Sequence, residues 1–194
     1  GTIVFGEKSI QHLAPHQRVQ QGLTRTFQLT RTLARLSVLD NLLVAAPHGV
    51  GEHLWQVFWC GSRIRQQQRQ FKTQALSILE AIGLADKAQT LAGSLSGGQR
   101  KLLELGRALM TQPRLILLDE PAAGVNPTLI DQLCQQILHW NQQGITFLII
   151  EHNMDVIMSL CQEIWVLAEG KNLVQGTPQM VQDHPQVLDA YLGA

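Results

Sequence analysis

The chain has 194 residues, 45% of them apolar, enough for one domain with a core of its own and too many for intrinsic disorder. Lys+Arg and Asp+Glu number 15 each, so no global charge recruits nucleic acid or an anionic membrane. No apolar run approaches the roughly 20 residues of a membrane span, and Cys60, Cys134 and Cys161, an odd set without a CxxC, read as reduced thiols of a cytoplasmic protein rather than a disulfide framework.

The opening GTIVFGEKS has neither a Met nor a signal peptide, and it reads as the middle of a domain. Residues 2–5 and 23–28 read as strands and 37–46 as a short helix. The irregular stretch 47–61, PHGVGEHLWQVFWCG, carries Trp55, Phe58 and Trp59. Residues 62–83 and 97–110 read as helices, the second with Leu102, Leu105 and Leu109 on one face. Three apolar runs follow: LILL at 115–118, FLII at 147–150 and IWVL at 164–167. They have strand length and no alternation, as expected of strands covered on both faces. Between the first two, Leu129, Leu133, Ile137 and Trp140 recur at helical spacing. Pro127 suits the helix start and Gly144 its end. This is a βαβ unit, so its strands are expected to be parallel and the C-terminal half α/β. The ending GTPQMVQDHPQVLDAYLG reads as two short helices with Pro178 and Pro185 at their first positions.

SLSGGQRKLLELGRALM, residues 94–110, is arranged to hold an anion. Ser96 can cap the helix, while Gly97 and Gly98 let a ligand approach the backbone, where free N–H groups and the positive helix end favour phosphate. An ordinary Ser-Gly-Gly turn capping a helix fits these residues equally well. PRLILLDEP shifts the balance, because it sets Asp119 and Glu120 at the carboxyl end of a buried strand, where open α/β sheets bind ligands. An Asp there can hold Mg²⁺, and a neighbouring Glu can polarise an attacking water as general base. His152, in LIIEHNMD, ends the next strand within reach of a terminal phosphate; alone it would read as structural. Gln28, in LTRTFQLT, follows a strand and alone would count for nothing.

The order Gln28, LSGGQ, LILLDEP, His152 resembles the nucleotide-binding subunit of ABC transporters over nearly the whole chain. The resemblance implies a P-loop NTPase fold of the ABC type with a helical signature subdomain. It divides the chain into a helical part at 29–110, an α/β core at 111–176 and a helical tail at 177–194, within one ATPase domain. It also implies ATP and Mg²⁺ as cofactors. By resemblance, Ser96, Gly97, Gly98 and Gln99 reach across a dimer to the γ-phosphate held by the partner subunit. Asp119 is the Walker B carboxylate and Glu120 the catalytic base. Gln28 is the Q-loop residue that touches Mg²⁺ and senses the membrane partner, and His152 is the switch histidine. AAGVNP at 122–127 stands where the D-loop belongs, with Asn126 where many relatives have Asp. The implied partners are transmembrane permease subunits, a second ATP-binding subunit in a homo- or heterodimer and, indirectly, a periplasmic or extracellular solute-binding protein. The implied location is the cytoplasmic face of the membrane, peripherally attached. Nothing implies nucleic acid.

TRTFQ at 24–28, DNLLVAA at 40–46, DEPAAGVNP and the ending together resemble the branched-chain amino-acid transport ATPases of the LivG type. The lipopolysaccharide-export and urea-uptake ATPases are the rival subfamilies. The insert at 47–73 stays open: Trp55, Phe58 and Trp59 with Arg63, Arg65, Arg69 and Lys72 fit a contact with permease or lipid. They equally fit an aromatic core and a solvated basic face.

Such an ATPase needs a phosphate loop, G-x-x-x-x-G-K-[ST]. Gly1 and Gly6 followed by Glu7, Lys8 and Ser9 miss it by one residue. TIVF reads as a strand, and the helix that should follow is cut short by Pro15. The loop is therefore expected upstream of Gly1, and these 194 residues alone are expected neither to hold ATP firmly nor to hydrolyse it. Two classes of function follow: an ATP-hydrolysing importer subunit, or a non-catalytic partner that donates LSGGQ to an intact subunit. The retained Asp119, Glu120 and His152 favour the first. A soluble ABC protein of DNA repair or translation is a distant third.

Overall fold

The computed structural model describes residues 1–26, 32–47 and 61–192. Gln28, the insert aromatics Trp55, Phe58 and Trp59, and Cys60 lie outside the described residues. The chain forms two compact units, Gly1–Ile150 and Glu151–Ala194.

The first unit opens with a hairpin, β1 (Val4–Phe5) against β2 (Lys8–Ser9), with Gly6 at φ 60° in the turn. Lys8 and Ser9 are thus strand residues and line no phosphate loop. Pro15 does not cut a helix short. It begins one, α1 (Pro15–Gln20), at the position where its missing N–H costs nothing. Three parallel strands follow in the order β3 (Leu23–Arg25), β4 (Leu115–Asp119), β5 (Thr146–Ile150). The register sets Thr24 beside Ile116 and Ile116 beside Phe147, as the βαβ reading requires. The crossover helix α5 (Pro127–Gln142) buries Leu133, Ile137 and Trp140.

Between β3 and β4 the chain folds α2 (Val38–Val44), α3 (Gly61–Ala81) and α4 (Gly97–Met110), which pack on one another. Val38, Leu39 and Leu42, then Ala75, Ile78 and Leu79, then Leu102, Leu105 and Leu109 form their common core. Asn41 is fully buried within it and is satisfied throughout. Its Oδ1 accepts from Leu33 N at 2.8 Å, and its Nδ2 donates to the Leu33 and Ser37 carbonyls at 3.0 and 2.9 Å. Arg63, Arg65, Arg69 and Lys72 are exposed along α3.

The second unit holds α6 (Met154–Leu160), an antiparallel pair β6 (Ile164–Ala168) and β7 (Lys171–Gly176), and two short helices, α7 (Pro178–Gln182) and α8 (Pro185–Leu192). The helices begin at the two prolines, as expected. Ile164, Val166, Val181 and Val187 form the core. Here the reading of IWVL as a strand covered on both faces is corrected: β6 alternates, with Trp165 and Leu167 59% and 64% exposed. The reason is the hairpin. Glu169 and Gly170, at φ 50° and 74°, turn the chain straight back, so β6 has one packed face and one open face. β5 also exposes alternate residues, Leu148 and Ile150. Burial pushes the Cys161 thiol up from its ordinary pKa.

Candidate functional site

Ser96 is the N-cap of α4. Its Oγ accepts from Gln99 N at 3.3 Å, and Gln99 Oε1 accepts from Ser96 N at 3.1 Å, a reciprocal capping box. Gln99 therefore fixes the helix start. Gly97 is exposed, and a Cβ built on it would meet nothing within 4 Å. Gly98 differs: it is buried, and a Cβ there would lie 3.2 Å from Leu129 Cδ1 and 3.5 Å from Val125 Cγ1. Gly97 thus presents backbone to solvent, whereas Gly98 lets α4 press against the start of α5.

Asp119 closes β4 at the carboxyl end of the parallel sheet. Its Oδ2 accepts from the Arg25 guanidinium at 3.1 Å. Arg25 is the last residue of β3, so neighbouring strand ends supply the two charges. Glu120 follows at φ 46°, a left-handed conformation that costs a residue with a Cβ roughly 1–2 kcal/mol. It also precedes Pro121, which disfavours helical backbone in the residue before it. Hydrogen bonds to its backbone hold it there. Glu120 N donates to Ile150 O at 2.9 Å, and Glu120 O accepts from Ala123 N at 3.2 Å and from Lys101 Nζ at 2.8 Å. Asn126 caps α5, its Oδ1 accepting from Leu129 N at 2.8 Å. Thr26, Gly98, Lys101, Asp119, Pro121 and Val125 line one small cavity, so the start of α4 and the end of β4 share a wall.

In the second unit, His152 is exposed. Its backbone N donates to Glu151 Oε2 at 3.1 Å, and Asn153 N donates to the same oxygen at 3.3 Å. The Glu151 side chain is only 1% exposed.

The described residues contain no group of three or more His, Cys, Asp and Glu that could hold a metal by themselves. Asp119, at the carboxyl end of a parallel strand, has the carboxylate chemistry that a Mg²⁺ ion on a nucleotide would need. No helix among them is long and apolar enough to cross a membrane.

A family model described as ABC transporter matches residues 1–123, and one described as branched-chain amino acid ATP-binding cassette transporter matches residues 171–194. The chain belongs to the ABC transporter ATP-binding family. It is 36% identical over 194 residues to the probable branched-chain amino acid transport ATP-binding protein LivG of Archaeoglobus fulgidus, covering 100% of this chain and 74% of that protein. It is likewise 36% identical over 194 residues to the high-affinity branched-chain amino acid transport ATP-binding protein BraF of Pseudomonas aeruginosa, covering 100% of this chain and 76% of that protein. Among solved structures, the ADP conformation of an ABC transporter ATP-binding cassette matches with a TM-score of 0.79 at 33% identity, over 100% of this chain and 77% of that one. A nucleotide-free cassette matches with a TM-score of 0.80 at 34% identity, over 100% of this chain and 78% of that one. The ABC fold and the family expected from LSGGQ and LILLDEP are both borne out by these matches.

Sequence reasoning missed two residues at this site. Arg25 stood inside TRTFQ, a stretch used only to mark the subfamily. Lys101 sits two residues past LSGGQ and looks like any helix lysine; only the fold brings it to Glu120.

Proposed function

We propose that this chain belongs to the ATP-hydrolysing subunit of an ABC importer for branched-chain or other neutral amino acids. The observation that carries the reading is the strained Glu120 next to Asp119 at the carboxyl end of a parallel strand, in a chain of this family. Strain of this kind persists where the surroundings over-determine it, and it gathers at active sites. The branched-chain match at 171–194 and the LivG and BraF relatives support the cargo class.

In this reading Glu120 accepts a proton from water as the water oxygen attacks the γ-phosphorus of ATP. The bond from that phosphorus to the bridging oxygen breaks, and ADP leaves with the electron pair. Asp119 and Gln28 would hold Mg²⁺, which would offset charge on the phosphate oxygens. Ser96, Gly97, Gly98 and Gln99, with Asn126 of the D-loop, face the nucleotide of a second ATP-binding subunit. His152 contacts the terminal phosphate as the switch residue. The open backbone at Gly97 fits that role; Gly98 contributes by packing α4 on Val125 and Leu129. The subunit sits on the cytoplasmic face of the membrane against permease subunits, and a solute-binding protein delivers the cargo to them. The proposed division into a helical part at 29–110, a core at 111–176 and a tail at 177–194 follows the same resemblance.

The test is Glu120→Gln in the native subunit. We expect turnover to fall about 100-fold or more, the scale of a lost general base, with ATP binding kept. Turnover that survives the substitution would refute the assignment.

A further inference from the structure

We infer that Lys101 is a positioning residue for Glu120, its ammonium clipping the Glu120 carbonyl so that the carboxylate points where β4 alone would not send it. The inference rests on the reading of Glu120 as general base.

Glu120 is pulled from its observed backbone by two forces. A residue with a Cβ disfavours φ 46°, and a residue before proline prefers extended backbone. Relaxing to extended backbone would continue the alternation of β4 and swing the carboxylate off its present direction. Opposing this are the bond that the Glu120 amide donates to Ile150 O and the bonds that its carbonyl accepts from Ala123 N and Lys101 Nζ. Of the carbonyl's partners, Ala123 N belongs to the turn that Glu120 itself begins, so it moves when that turn moves. Lys101 Nζ comes from α4, at 2.8 Å, and donates with a full charge. It ties Glu120 to the helix that begins within LSGGQ. A shift of α4 would therefore be felt at the base without passing through the nucleotide. Because the bond goes to backbone, losing it should disturb the direction of the carboxylate and leave nucleotide binding alone.

The experiment compares Lys101→Met, Lys101→Arg and Glu120→Gln in the native subunit, reading kcat and KM for MgATP and amide hydrogen exchange at positions 120 and 123. We expect Lys101→Met to lower kcat about tenfold or more with KM within about twofold, and Lys101→Arg to restore most of the loss. Protection of both amides should fall in Lys101→Met and return in Lys101→Arg. Parental kcat in Lys101→Met, with Glu120→Gln inactive, overturns the positioning role alone. So does a loss that Lys101→Arg fails to rescue with exchange unchanged, and so does a Lys101→Met chain that cannot fold, which would make Lys101 a stability residue. Turnover that survives Glu120→Gln overturns the base assignment, and this inference with it.

Discussion

Substituting Gly97 by Ala separates stability from function at LSGGQ. Gly97 is the first residue of α4, and a Cβ there meets nothing within 4 Å, so the folded state accommodates a methyl without strain. Gly→Ala at a compatible position stabilises by about 0.4–1 kcal/mol, chiefly by restricting the unfolded chain. The first helical turn gains least, so we expect about 0.5 kcal/mol. That appears as a higher urea midpoint at unchanged slope. If the open backbone of Gly97 meets phosphate, the same methyl keeps the phosphate away from its N–H, and turnover of the native subunit falls about tenfold or more. Higher stability with lower activity is the expected pair. Parental kcat/KM in Gly97→Ala would refute close approach of a ligand, and a lower midpoint would refute the open geometry. Gly98→Ala is a poor substitute, because its methyl would crowd Leu129 at 3.2 Å and a loss there has a packing explanation.

Asn41→Ala leaves the Leu33 N–H and carbonyl without partners beside the core; with Leu33 partly open to water, we expect a loss of about 2–3 kcal/mol in urea unfolding, and a loss under about 1 kcal/mol would show that water replaces the side chain. Gly22→Ala combines a φ of 91° with a Cβ 3.0 Å from Arg114 Cγ, so it should lower stability by about 2 kcal/mol or more and displace the Arg114 guanidinium from its place over the Phe5 ring, readable as a lower thermal midpoint. Asn126→Asp keeps the cap on Leu129 N and should leave the midpoint unchanged, whereas Asn126→Ala should cost about 1 kcal/mol; equal midpoints would show that the cap contributes nothing.

Elements with a strong period were legible in the sequence. Residues 97–110 form the expected helix because Leu102, Leu105 and Leu109 repeat at its pitch and Ser96 marks its start. LILL and FLII became parallel strands for a topological reason: a helix of this length between them requires a crossover. IWVL misled because an apolar run reads alike whether one face is covered or two. The signal that decides it is the turn Glu169–Gly170, and Glu-Gly is a weaker mark of a tight hairpin than Asn-Gly or Asp-Gly. Pro15 misled because proline both ends and begins helices; the difference lies in the strand pairing of Lys8–Ser9 upstream, which two residues cannot announce.

The candidate site divides along the same physical line. Residues in a contiguous motif, such as Ser96, Asp119 and Glu120, show themselves by type and spacing. Those that act through backbone do not. A charge-assisted bond from Lys101 to a carbonyl 19 residues away leaves no trace in periodicity, since any residue offers the same carbonyl. Arg25 lies 94 residues from Asp119, and only the parallel register of β3 on β4 makes them neighbours. The left-handed Glu120 is the clearest case. Its Cβ disfavours positive φ and its place before Pro121 favours extended backbone, and the fold overrides both through the bond its N–H donates to Ile150 O of β5 and the one its carbonyl accepts from Lys101 of α4. Local preferences defeated by long-range contacts gather at functional sites, although Gln112 and Glu169 also hold positive φ. That defeat is visible only once the strands and the helix are in place.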